Sequence, residues 1–111
     1  VYQAAGTGNW FHFAIPTPRQ INDHSFSCNR IWLDAKTDEF TMIDKVHVCD
    51  TTFRRGAFEN LSYIGRDQWY AFDVQPFYVV ALGVSVFVKW IGTGGEVRFR
   101  NAGAWFECPG C

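Results

Sequence analysis

The sequence predicts an all-β fold, a single small antiparallel β-sandwich of jelly-roll type with seven or eight strands, on three observations. Apolar and polar residues alternate with period two in segment after segment. Glycine, proline and β-branched residues interrupt every window before a helical stripe can run three turns. Aromatic residues make up 18% of the chain, a supply of rings large enough to fill a core between two sheets. No repeat, low-complexity tract or linker divides the 111 residues, so one domain spanning 1–111 is expected, disulfide-bonded through its four cysteines.

Taken in order, Asn9 to Ile15 alternates as a first strand. Pro16 and Pro18 then remove ladder donors, so they end that strand or protect an edge. Arg30 to Lys36, Lys45 to Asp50 and Trp69 to Val74 alternate in the same way, and a short helix or 3₁₀ turn fits Gly56 to Leu61. The clearest pattern is Val80 to Trp90, which reads as a long central strand. Val80, Leu82, Val84, Val86, Val88 and Trp90 share one face, and Ala81, Gly83, Ser85, Phe87 and Lys89 the other. Thr93-Gly94-Gly95 reads as a hairpin turn into Glu96 to Arg100, with Ala104 to Cys108 as the last strand. Two packed sheets bury so many short amphipathic strands at this length, with a closed barrel as the alternative. The expected core contains Val80, Leu82, Val84, Val86, Val88, Val97 and Phe99, with Arg98 and Arg100 facing solvent.

The net charge of −1 and the absence of any run of like charge argue against a phosphate-binding surface, so no nucleic-acid partner is expected. Phe77 to Val88, the longest apolar stretch, is too short to span a bilayer and is broken by Gly83 and Ser85, so no membrane span is expected. Cys28, Cys49, Cys108 and Cys111 form an even set, which points to two disulfides in a secreted, extracellular protein. Three pairings are open, with bridges from Cys28 and Cys49 to the C-terminal pair favoured because they tie down a terminus. A zinc knuckle wants two close cysteine pairs, and only Cys108 and Cys111 are so spaced. The opening at Val1, without a basic and then apolar leader, fits a processed mature protein or an excised piece, with processing the favoured expectation. Asn60-Leu61-Ser62 is an N-glycosylation sequon at Asn60.

Gly8 to Pro18, GNWFHFAIPTP, resembles a family of small, mainly bacterial β-sandwich proteins classed as a domain of unknown function. Val46-His47-Val48-Cys49-Asp50 is similar to that family's Val-His-Val-aromatic-Asp strand, and Gly83-Val84-Ser85-Val86 and Asn101-Ala102-Gly103-Ala104 are similar to its final third. The resemblance implies a compact β-sandwich and assigns no activity. The family does not carry this four-cysteine set, and Cys49 stands where an aromatic is usual.

No catalytic residues are assigned. Nucleophilic catalysis needs Ser or Cys, His and an orienting carboxylate, but His24-Ser25 and His47-Val48-Cys49-Asp50 lack a nucleophile-elbow or cysteine-protease context. Asp34, Asp38, Glu39, Asp44 and Asp50 are hard oxygen ligands whose spacing fits no calcium loop, so they read as solvated strand ends, and no metal or cofactor is expected. Cys108-Pro109-Gly110-Cys111 has redox-motif spacing but follows a strand rather than opening a helix.

Tryptophan is the informative residue. Alternation sets Trp10 beside His12, Trp32 beside Asp34, Trp69 beside Asp73 and Trp105 beside Glu107, all on polar faces, while Trp90 alone lies with the aliphatic stripe. Such rings are covered by a loop, used in an interface, or exposed as stacking platforms. The leading expectation is a non-catalytic, lectin-like binding module using Trp10, His12, Trp32, Asp34, Trp69 and Asp73 to hold a carbohydrate or similar polar ligand. The alternative is a structural, self-assembling extracellular protein, a homo-oligomer such as a filament or coat subunit.

Overall fold

A computed structural model of the chain describes residues 6–16, 27–50, 53–78 and 81–107. Eight strands run β1 (Gly8–Ala14), β2 (Ser27–Thr37), β3 (Thr41–Asp50), β4 (Phe53–Phe58), β5 (Tyr63–Ile64), β6 (Asp67–Tyr78), β7 (Leu82–Trp90) and β8 (Val97–Glu107), with no helix among the described residues. They form two antiparallel sheets. One is ordered β1-β7-β3-β4, with β5 also on β3, and the other β6-β2-β8.

Alternation decides which side chains each sheet turns inward. Ile31, Leu33 and Ala35 of β2, Ile43, Val46 and Val48 of β3, and Val84, Val86 and Val88 of β7 are wholly buried in one cluster fed by both sheets. Each such Val, Leu or Ile side chain contributes about 1.5–3 kcal/mol. Rings close the space between the sheets: Phe11 and Phe13 of β1 lie 5.2 and 5.1 Å from Phe99 of β8, and Phe58 of β4 lies 4.8 Å from Phe72 of β6. The expected core is found at Leu82, Val84, Val86, Val88 and Val97, with Phe99 partly buried against it and Arg98 and Arg100 exposed.

Several expectations need correction. Gly56 to Leu61 is not a helix or 3₁₀ turn; its first half completes β4, which pairs with Val46–Asp50 of β3. The strands expected over Glu96–Arg100 and Ala104–Cys108 are one: Val97–Arg100 and Ala104–Glu107 both belong to β8, whose pairing with β2 shifts register between Asp34 and Ala35. The shift leaves Arg100 as an extra residue, so the inward set passes from Val97 and Phe99 to Ala102, Ala104 and Phe106. Thr93-Gly94 does turn, with Gly94 at φ +81°, a conformation that suits glycine. The turn makes no hairpin, because β7 pairs with β1 and β3 while β8 pairs with β2, so the chain crosses from one sheet to the other. Asp38 braces this crossing: its carboxylate accepts from the Phe40 and Glu96 N–H groups at 2.9 and 2.8 Å and from the Thr41 hydroxyl at 3.0 Å.

Asp44 and Asp50, expected as solvated strand ends, are buried. Asp44 lies 3.4 Å from the Lys89 ammonium, and Asp50 accepts from the Ala81 N–H at 2.9 Å. Cys28 and Cys49 are not bonded to each other, Cys28 being fully buried and Cys49 half-buried, and no disulfide joins the described residues. Their expected partners Cys108 and Cys111 lie outside the described residues, as do Pro18, His24, Ser25 and Val80. No helix among the described residues is long and apolar enough to cross a membrane.

Candidate functional site

The outer face of the three-stranded sheet follows directly from its register. On β2 the outward residues are Arg30, Trp32, Asp34 and Lys36, opposite Asp73, Ala71, Trp69 and Asp67 of β6. On the other side Arg30 faces Trp105, Trp32 faces Gly103 and Asp34 faces Asn101 of β8. Three indoles thereby stand on neighbouring strands in successive rows.

They touch. Trp32 and Trp69 have ring centroids 5.9 Å apart at an interplanar angle of 33°, and Trp69 and Trp105 lie 5.4 Å apart, edge to face at 86°. Trp69 remains 49% and Trp105 40% exposed, while Trp32 is half-buried because its ring lies over Gly103. A β-carbon on Gly103 would fall inside the Trp32 indole, so glycine is what lets the ring lie flat on the sheet.

Ion pairs bracket the rings. Arg30 donates through Nε to Asp73 at 2.5 Å, and its guanidinium sits 5.5 Å from the Trp105 ring centre. Arg100 donates to Asp34 at 3.0 and 2.7 Å and also to Asp67. That bond holds the Asp67 carboxyl below the usual carboxylate range, and the Asp34 and Asp67 acceptors make Arg100 harder still to deprotonate. Next to Trp105 is a depression of about 340 Å³ lined by Asn29, Arg30, Asp73, Trp105, Phe106 and Glu107, with the Asn29 amide donating to Glu107 at 3.0 Å.

Of the predicted site residues, Trp32, Asp34, Trp69 and Asp73 come together here. Trp10 and His12 do not: they lie on β1 in the other sheet, where Trp10 contacts His47 at 4.8 Å and Phe87 at 5.1 Å. His12 Nδ1 lies 2.6 Å from Ser85 Oγ, and His47 Nε2 lies 3.1 Å from Glu59 Oε1. His12 and Ser85 line a depression of about 430 Å³ together with Cys49, and no three His, Cys, Asp or Glu side chains converge into a metal-binding group among the described residues. Asn60, of the sequon, is exposed at φ +55° between β4 and β5.

The predicted ligand-binding set leaves out Arg30, Glu107, Asn29 and Arg100, while Trp105 is named with Trp10, Trp32 and Trp69 as a polar-face ring. Arg30 shares the parity of Trp32 and Asp34, and Glu107 that of Trp105, so both were within reach of alternation alone. Arg100 was expected to face solvent and does, but its place beside Asp34 follows from the pairing of β8 with β2, which local pattern does not encode.

The chain matches no protein-family model, no curated protein and no solved structure.

Proposed function

We propose that the protein is a non-catalytic, lectin-like binding module whose outer β6-β2-β8 face takes a carbohydrate. The observation that supports this is the contiguous set Trp32, Trp69 and Trp105, the last two exposed, bracketed by Arg30–Asp73 at one end and Arg100–Asp34–Asp67 at the other. Leaving two indoles partly in water forgoes burial that would contribute a few kcal/mol, which supports reading the patch as an interaction surface. The C–H faces of a sugar stack on indole while its hydroxyls bond to carboxylates and guanidinium groups, and ion pairs already held in place lose little entropy on binding. A glycan array read with wild-type protein and with Trp69→Ala and Trp105→Ala tests the proposal: wild-type binding lost in both variants supports it, and binding that survives both contradicts it.

A second reading rests on a different surface. Phe40 and Ile91 are 40% and 51% exposed and adjacent, the Ile91 N–H donating to the Phe40 carbonyl at 2.8 Å. They would bury in a self-associating structural protein. Sedimentation velocity separates the readings, since a monomer at all concentrations contradicts the second.

We further infer that the two sheets close as a β-sandwich and that the chain is secreted. The second inference rests on the even cysteine set and requires Cys28 and Cys49 to pair with Cys108 and Cys111. Alkylation of the unfolded, unreduced protein, read by intact mass, tests it: no modified thiol is expected, and four would contradict it. Membership of the small bacterial family resembled by GNWFHFAIPTP is likewise a proposal.

A further inference from the structure

On the carbohydrate reading just given, we propose that the face accepts one neutral sugar unit at the end or branch of a soluble chain, seated beside Trp105, rather than a crystalline polymer surface or an acidic sugar. Three features support this choice.

The first is the set of ring planes. A flat polymer surface needs coplanar rings, whereas Trp69 and Trp105 stand at 86°, so only one of them can lie against any plane. Trp105 alone of the three indoles lines the depression, and one ring offers stacking area for one sugar unit. The second is size. The depression of about 340 Å³ is at the low end of the roughly 300–1,000 Å³ range of small-ligand sites, which suits one pyranose ring and not an extended segment. The third is charge. Asp73 and Glu107 place two carboxylates against the single guanidinium of Arg30 around the depression. Their oxygens accept hydrogen bonds from hydroxyls, and they repel a uronate or sialate carboxylate.

Calorimetric titration tests the proposal with methyl glycosides of glucose, galactose, mannose and N-acetylglucosamine, with the methyl glycosides of glucuronic and sialic acid, and by pull-down on crystalline cellulose and chitin. Binding of at least one neutral glycoside is expected, with the acidic glycosides weaker by about tenfold or more and no retention on the crystalline polymers. Asp73→Asn and Glu107→Gln should each weaken neutral-sugar binding by about tenfold, the effect of losing one charge-assisted hydrogen bond. Trp10→Ala, on the other sheet, should leave it unchanged. Tighter binding of an acidic glycoside, retention on a crystalline polymer, or indifference to both carboxylate substitutions would overturn this inference while leaving a carbohydrate-binding face in place. Binding of no carbohydrate in any format would overturn the carbohydrate reading itself.

Discussion

Gly103 and Trp32 form the smallest unit on which the site depends. The indole rests on bare backbone, and a methyl group there must push it off the sheet and toward Trp69. Gly103→Ala is therefore expected to destabilise the protein by about 1–3 kcal/mol, the usual effect of overpacking, and to blue- or red-shift the tryptophan emission of the native state. Denaturant unfolding followed by fluorescence checks both. On the inner side Val86 is wholly buried, so Val86→Asp places an unpaired charge in the core and should lower stability by more than 4 kcal/mol or prevent folding, as roughly expected for such a change. Arg98 is exposed and pairs with Glu96, so Arg98→Ser should change stability by only about 0.5 kcal/mol. Similar midpoints for the two variants would mean that the register of β7 or β8 is wrong.

Among the elements, Asp38 couples the β2–β3 turn to the crossing between β7 and β8. Burial alone would raise its carboxyl pKa, but the N–H groups of Glu96 and Phe40 and the Thr41 hydroxyl outweigh it and hold the value below normal. A carboxyl depressed on folding contributes stability above its unfolded pKa of about 4 and loses it as the pH falls through the lower, folded value. Thermal melts should show the wild type losing stability below about pH 4 and Asp38→Asn losing less over that window, after costing about 1–3 kcal/mol at pH 7. An unchanged acid limb in the variant would contradict this role.

The same scale shows why the sequence was legible in some strands and not in others. Strand β7 keeps strict parity and was read almost whole. Strands β2 and β3 were read only from Arg30 and Lys45 onward, and in the structure their registers shift between Cys28 and Arg30 and between Ile43 and Lys45. Strand β8 was split near its shift at Arg100. Each bulge inserts one residue and inverts the parity on which the reading relied. Strand β4, with Arg54-Arg55-Gly56, offers no clean alternation and borrows its order from pairing with β3. The site was legible to the extent that parity sets Trp32 with Asp34 and Trp69 with Asp73. That Trp10 and His12 belong to the other sheet is a matter of strand order, which local pattern does not encode.

At the scale of the whole molecule, the two antiparallel sheets present different chemistry on their outward-facing residues. The β6-β2-β8 face carries three contacting tryptophans between ion pairs, and the β1-β7-β3 face carries Trp10 among Phe87, His47 and Ser85. Trp90 is locked between them, its indole N–H donating to the Gly95 carbonyl at 3.0 Å. The five indoles thus report on the proposed binding face, the other sheet and the core. The most direct test is an ¹⁵N-edited spectrum of the five tryptophan indole N–H groups, assigned by single substitutions and recorded during titration with the neutral methyl glycosides. The account predicts that the Trp32, Trp69 and Trp105 resonances move together along one binding curve while those of Trp10 and Trp90 stay in place. Movement centred on Trp10, or five stationary resonances with every sugar, would contradict it.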